Sequence, residues 1–140
     1  YDDLSLFEIG PTFFGKNPGE QQIVVGGIKS GQVNRKSWNE KTRNIDVFDI
    51  KSDTIRTLIE LGLVEKNIFV SDLTNGSYHP GRSGSITLKS DKGPLLAYFG
   101  ELHPGIVKKL DFKDKNIFGF EIFLNNIPKP NKKIRQTKLN

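Results

Sequence analysis

The sequence predicts an α+β domain, a mostly antiparallel sheet flanked by helices. Six apolar, strand-like stretches are separated by turn-forming residues, and one stretch, 46–61, switches to a helical period. Two of the connections, Gly15–Gln21 and Ser90–Gly93, have the composition of hairpin turns. At 140 residues the length fits a single domain with its own core.

The first strand is "LSLFEIG" (Leu4–Gly10), apolar on both faces and therefore internal, with Gly10-Pro11 as its breaker. "QQIVVGGI" (Gln21–Ile28) is the second; it is β-branched and ends in glycines that allow close backbone approach. The segment from Lys29 to Asn44 is polar apart from Trp38. That ring is either an anchor packed back onto the core or an aromatic that stacks on a ligand or partner.

From Asp46 to Leu61, Val47, Ile50, Thr54, Leu58 and Leu61 recur at spacings of three and four, which makes an amphipathic helix. Asp46 or Ser52 caps its start, and Gly62 is placed to follow its end. Asp46, Asp49 and Asp53 form an acidic first part that suits the helix dipole, with a metal site as the sharper alternative. Strands follow at Asn67–Ser71, Ser85–Leu88, Pro94–Gly100 and Ile117–Leu124. A short helix, Pro104–Leu110, separates the last two, with Pro104 at its first position and His103 as N-cap.

Composition excludes several chemistries. Without cysteine there is no disulfide, thiolate zinc site or cysteine nucleophile. No apolar run approaches the ~18 residues of a membrane span, and no signal-peptide pattern opens the chain. The absence of methionine and the start at Tyr1 point to a piece of a longer protein. The net charge of +5 resides in the tail: Lys129, Lys132, Lys133, Arg135 and Lys138 are basic, and residues 122–140 hold no acid. The remaining 16 basic residues are matched by 16 acidic ones, so the body shows no basic face for tracking phosphates. Residues 128–140 read as a basic linker leading elsewhere, or as a nucleic-acid-binding arm; residues 1–127 form the domain.

Phosphate-binding glycine loops and the G-x-S-x-G elbow are absent. The two histidines, His79 and His103, each precede a proline. With Glu101 they would offer three zinc donors, but pre-proline positions favour turns, where an imidazole caps the backbone. In "HPGRSGS" (His79–Ser85), His79, Pro80, Gly81, Arg82 and Ser83 form a loop in which amides and a guanidinium could converge on an anion. In the alternative, Arg82 pairs internally with a glutamate. Glu8, Glu101 and Glu121 each lie in an apolar strand, and two of them side by side would make an acid/base pair conceivable.

Several stretches occur together in one order: "LFEIGPTF" (Leu6–Phe13), "VVGGI" (Val24–Ile28), Trp38 then "IDVFDIKSD" (Ile45–Asp53), "HPGRSGSI" (His79–Ile86), "FGELHPGIVKKLDF" (Phe99–Phe112) and "FGFEIFL" (Phe118–Leu124). In this the chain resembles the beta subunit of bacterial-type phenylalanyl-tRNA synthetase, from about Leu4 to Pro130. The resemblance implies a degenerate, class II aminoacyl-tRNA synthetase-like catalytic module that precedes a C-terminal anticodon-binding domain. Glu8, Gly10, Trp38, Asp46, Asp49, His79, Pro80, Gly81, Arg82, Ser83, Gly100, Glu101, His103 and Pro104 are then family-motif residues with structural roles.

The resemblance also implies a cytoplasmic heterotetramer of two alpha and two beta subunits, in which ATP, magnesium and tRNA serve the parent complex. Active class II sites carry an Arg-x-Glu on one strand, and here Leu6 stands where that arginine is needed. The fragment is therefore expected to bind no cofactor and to have no catalytic or metal-ligating residue. Its expected role is structural, in assembly with the alpha subunit. The alternative is direct tRNA or partner contact through Arg82, Lys132, Lys133 and Arg135. A small independent enzyme using the glutamates or the histidine pair is the third reading.

Overall fold

The computed structural model describes residues 4–11, 23–30, 32–33, 43–109 and 116–128. Its elements run β1 (Leu4–Pro11), β2 (Ile23–Ser30), β3 (Gln32–Val33), β4 (Arg43–Asn44), α1 (Val47–Glu60), β5 (Ile68–Ser71), β6 (Tyr78–Leu88), β7 (Leu95–Leu102), α2 (Pro104–Lys109) and β8 (Ile117–Phe123). Six strands form one sheet in the order β1-β2-β8-β7-β6-β5, and β3 and β4 form a separate pair. Every neighbouring pair in the large sheet is antiparallel. The fold is thus α+β with an antiparallel sheet.

Helix α1 starts where its sequence can satisfy the first amides. Asp46 accepts from the Phe48 and Asp49 amides at 3.0 and 3.1 Å, and Asp49 accepts from the Asp46 amide at 2.9 Å, a reciprocal capping box. Gly62, at φ +113°, follows the last turn, where a left-handed residue ends the helix. The stripe Ile50, Thr54 and Leu58 is buried, and the Thr54 hydroxyl donates to the Ile50 carbonyl at 2.6 Å. Across the helix, Lys29 of β2 binds Asp53 at 2.7 Å and ties α1 to the sheet.

One core lies between α1 and the sheet, built on Val25, Ile86, Phe99, Phe118, Phe120 and Ile122 with Ile50 and Leu58. A smaller one on the other side gathers Ile28, Tyr78, Leu102, Val107 and Ile117, with α2 contributing Val107.

Strand β6 departs from the sequence reading. Strand was expected only over Ser85–Leu88, with a loop before it, whereas β6 begins at Tyr78. Strand β5 pairs only with Ser85–Leu88, so the earlier half of β6 has one sheet neighbour, β7. On such an edge the missing amide of Pro80 interrupts no ladder. The register shift between Tyr78 and Ser83 absorbs the irregular residues. The small β3–β4 pair lies in the polar segment and was not anticipated, because two-residue strands leave no periodic signal.

Candidate functional site

Pairing register sorts the strand residues into two faces. On the α1 face, one row runs Ile9, Val25, Ile122, Ala97, Ile86, Val70, apolar throughout. On the opposite face the central row runs Glu8, Gly26, Glu121, Tyr98, Ser85, Ser71 across all six strands. The next row is Leu6, Ile28, Gly119, Gly100, Ser83. This second face carries Glu121, Tyr98 and Ser85, whereas Lys29 and Glu101 lie on the α1 face.

Glu121 is 2% exposed. It accepts a hydrogen bond from the Tyr78 hydroxyl at 2.9 Å. Tyr98, its register neighbour, packs its ring against Tyr78 and edge-on against Phe123, with centroids 6.0 and 5.7 Å apart. Burial raises the Tyr78 hydroxyl well above the ordinary tyrosine range, and the charge and hydrogen bond of Glu121 raise it further. Tyr98 is raised by the same two causes, burial first and then the charge of Glu121. A phenol held so firmly in its protonated form is a structural donor rather than a proton shuttle.

The three strand glutamates are not side by side. Glu8 and Glu121 share a row but are separated by Gly26, two strand spacings or roughly 10 Å of sheet. Glu101 lies on the α1 face, three residues along β7 from Tyr98. There it pairs with Arg82, whose Nε donates to the Glu101 carboxylate. The bond and the charge of Glu101 raise the guanidinium pKa above its usual value. The arginine side chain remains 53% exposed, whereas Glu101 is buried.

The two His-Pro sites share one device. In His79-Pro80-Gly81 the Gly81 amide donates to His79 Nδ1 at 3.1 Å, and in His103-Pro104-Gly105 the Gly105 amide donates to His103 Nδ1 at 3.1 Å. Each imidazole closes its own turn, as an Asn or Asp side chain does elsewhere. His103 thereby caps α2, its carbonyl accepting from Ile106 and Val107 at 2.9 and 3.1 Å. Nδ1 as acceptor puts the ring proton on Nε2, so a metal at Nε2 would have to break the turn. The Ser83 hydroxyl donates to the His79 carbonyl at 2.6 Å and straps the second half of the bulge.

Gly100 makes that bulge possible. Its φ is +147°, and a Cβ there would lie 2.2 Å from Ser83 Cβ and 2.7 Å from the Arg82 carbonyl oxygen. Pro80 is exposed at the outer edge of β6, and Pro104 is the first residue of α2. Asp46 and Asp49 are the helix cap, and Asp53 binds Lys29 and Arg56. Among the described residues no group of three His, Asp or Glu side chains is arranged to hold a metal ion. Glu8 and Gly10 are placed by backbone register in β1. Trp38, Lys132, Lys133 and Arg135 lie outside the described residues. Tyr78 was not singled out from the sequence, since nothing local marks a tyrosine whose partner is 43 positions away.

An antiparallel sheet with one face sealed by an amphipathic helix and the other lined by acidic, aromatic and small residues defines an α+β sheet module. The family model described as "Phenylalanyl tRNA synthetase beta chain CLM domain" matches residues 1–124, and the chain belongs to that family. It is 40% identical over 136 residues to the phenylalanine–tRNA ligase beta subunit of Paramagnetospirillum magneticum, covering 97% of this chain and 16% of the relative. The beta subunit of Rhodospirillum rubrum is 37% identical over 138 residues, covering 99% of this chain and 17% of the relative. That of Bartonella henselae is 37% identical over 142 residues, with the same two shares, 99% and 17%. The chain therefore spans about one sixth of the length of these curated relatives. Among the described residues no helix is long and apolar enough to cross a membrane.

Proposed function

We propose that this chain is a catalytically silent structural module of a phenylalanine–tRNA ligase beta subunit, a degenerate copy of the class II synthetase sheet. It supports assembly with the alpha subunit of a cytoplasmic complex, two alpha and two beta chains, that attaches phenylalanine to its tRNA using ATP and magnesium. Residues 1–127 form the module, and 128–140 lead on as a basic linker.

The observation that carries the silent reading is the charge of the sheet face opposite α1. Leu6, Ile28, Gly119, Gly100 and Ser83 make one row, and Glu8, Gly26, Glu121, Tyr98, Ser85 and Ser71 the next, with no Lys, Arg or His in either. Phosphoryl and adenylyl transfer depend on cations that offset the charge of the triphosphate. A face that presents the Glu121 carboxylate and no cation has nothing to offset the charge of a triphosphate. The described residues of this face are largely buried in packing, which suits a scaffold.

Sedimentation with purified alpha subunit at physiological salt, alongside titration with Mg-ATP, tests this reading. Co-sedimentation without nucleotide binding is expected. A folded chain that binds Mg-ATP, or that ignores the alpha subunit, overturns it.

A second reading rests on Arg82. Its Nε is engaged by Glu101 while more than half of the side chain is in solvent, where its guanidinium could meet a tRNA phosphate or a partner carboxylate. Lys132, Lys133 and Arg135 would add to such a contact. A steep fall of tRNA affinity with salt, reduced by about one unit of slope in Arg82→Ala, is its signature.

A further inference from the structure

Asn75 is the only asparagine of this chain that is followed by glycine. The other asparagines precede isoleucine, lysine, arginine, glutamate, asparagine or proline, apart from Asn140. Those side chains crowd the nitrogen that follows the asparagine, and proline removes its N–H altogether. Asn75-Gly76 lies in residues 72–77, the connection from β5 to β6, with Asn75 half-buried and Gly76 exposed. Nothing in the packing asks for a glycine there. The φ of Gly76 is not positive, and a Cβ on it would meet no atom within 4 Å.

The asparagine is held in a reactive posture. Its Oδ1 accepts from the Ser77 amide at 2.8 Å, an Asx turn that folds the carboxamide back over the Gly76 peptide. The oxygen that takes up charge when a nucleophile reaches Cγ therefore already has its backbone donor, as in an oxyanion hole. Neither the Gly76 amide nor Asn75 Nδ2 has a hydrogen-bond partner among the described residues. The attacking nitrogen and the departing one are both untied.

We infer that Asn75 is a site of spontaneous modification, which cyclises onto the Gly76 nitrogen and reopens as aspartate or isoaspartate. Solvent base removes the Gly76 amide proton, and the nitrogen forms a bond to Asn75 Cγ. The Cγ–Nδ2 bond breaks, and Nδ2 takes a proton from water and leaves as ammonia. Water then adds to one carbonyl of the resulting succinimide. Cleavage of the new Cγ–N bond gives aspartate, and cleavage of the original peptide bond gives isoaspartate, with the chain running on through Cγ. No oxidant, metal or second protein enters the balance.

The site is coupled to the start of β6. The Asn75 carbonyl accepts from the Tyr78 amide at 3.3 Å, and the Ser77 carbonyl accepts from the His103 amide at 2.8 Å. Isoaspartate lengthens the backbone by a methylene between these anchors. Its effect should therefore reach the Tyr78–Glu121 bond and the cap of α2.

Purified chain and the free peptide Leu73–Tyr78 are incubated together at neutral and mildly alkaline pH, then followed by intact mass and peptide mapping. The mass change of NH replaced by O should appear at Asn75, in two products separable by chromatography. It should arise at least as fast in the folded chain as in the peptide, and faster as pH rises. Gly76→Ala should slow it about tenfold or more, because the methyl crowds the nucleophile. The melting temperature should not move, because that methyl meets no neighbour. A folded chain that keeps Asn75 intact while the peptide converts overturns the inference, since the turn would then protect the side chain. So does a Gly76→Ala chain that converts as fast as the parent. The peptide comparison involves no substitution and decides the matter even where Gly76→Ala folds poorly.

Discussion

Tyr78 and Glu121 stand 43 positions apart in sequence and are joined by a buried hydrogen bond of 2.9 Å that links β6 to β8 past Tyr98 of the intervening strand. Tyr78→Phe keeps the ring and loses the donor, so equilibrium unfolding in urea should show a loss of about 1–3 kcal/mol. A change within the scatter of surface substitutions would mean that the bond contributes nothing net.

The same pair makes stability depend on alkaline pH. Burial and Glu121 raise Tyr78, and to a smaller degree Tyr98, above the ordinary tyrosine value of 10.0. Above that pH the unfolded chain releases these protons while the folded chain retains them, so the unfolded state binds fewer protons and stability falls as pH rises. Below it the contribution is fully present. Melting temperatures should therefore be level just under pH 10 and decline above it, and the decline should be shallower in Tyr78→Phe.

Gly100→Ala tests the close approach of β6 to β7 at the bulge. The new methyl would meet Ser83 Cβ at 2.2 Å in a backbone conformation, φ +147°, that L-residues avoid. Strain and overpacking together should cost about 3 kcal/mol or more, read as a shift in the denaturation midpoint. Near-neutral behaviour would show that the bulge relaxes freely.

Asp46→Ala removes the acceptor for two amides of α1 and half of the capping box. The expected loss is about 1 kcal/mol, and Asp46→Asn should recover most of it. Equal losses in both variants would point to charge rather than hydrogen bonding as the source.

The paired His-Pro-Gly turns predict a ring state. With Nδ1 accepting the Gly81 and Gly105 amides, nitrogen NMR should find the proton of each neutral imidazole on Nε2. His103→Asn should hold α2 through the same kind of turn, whereas His103→Ala should fray it by about 0.5–1.5 kcal/mol. An Nδ1–H tautomer at either site contradicts the assigned bonds.

Much of this architecture can be read from local pattern. The three-and-four spacing of Ile50, Thr54 and Leu58, the aspartate before it and the glycine after it determine α1 together with its ends, because a helix satisfies its backbone from within. Alternation and turn residues likewise determine where β1, β2, β5, β7 and β8 lie, and the shared motifs determine the family. Strand order, register and face are different, since they depend on which distant segments pair. Nothing near Glu121 indicates that Gly26 and Tyr98 flank it, or that Tyr78 reaches it. Nothing near Arg82 selects Glu101 over the other glutamates until the register shift between Tyr78 and Ser83 brings the two together. The early half of β6 was misread for the same reason: glycine and proline signal a turn locally, yet at an edge with a single neighbour the chain stays extended. Short-range sterics and capping wrote the elements into the sequence, and long-range hydrogen-bond register, which only the folded sheet can enforce, decided which side chains meet.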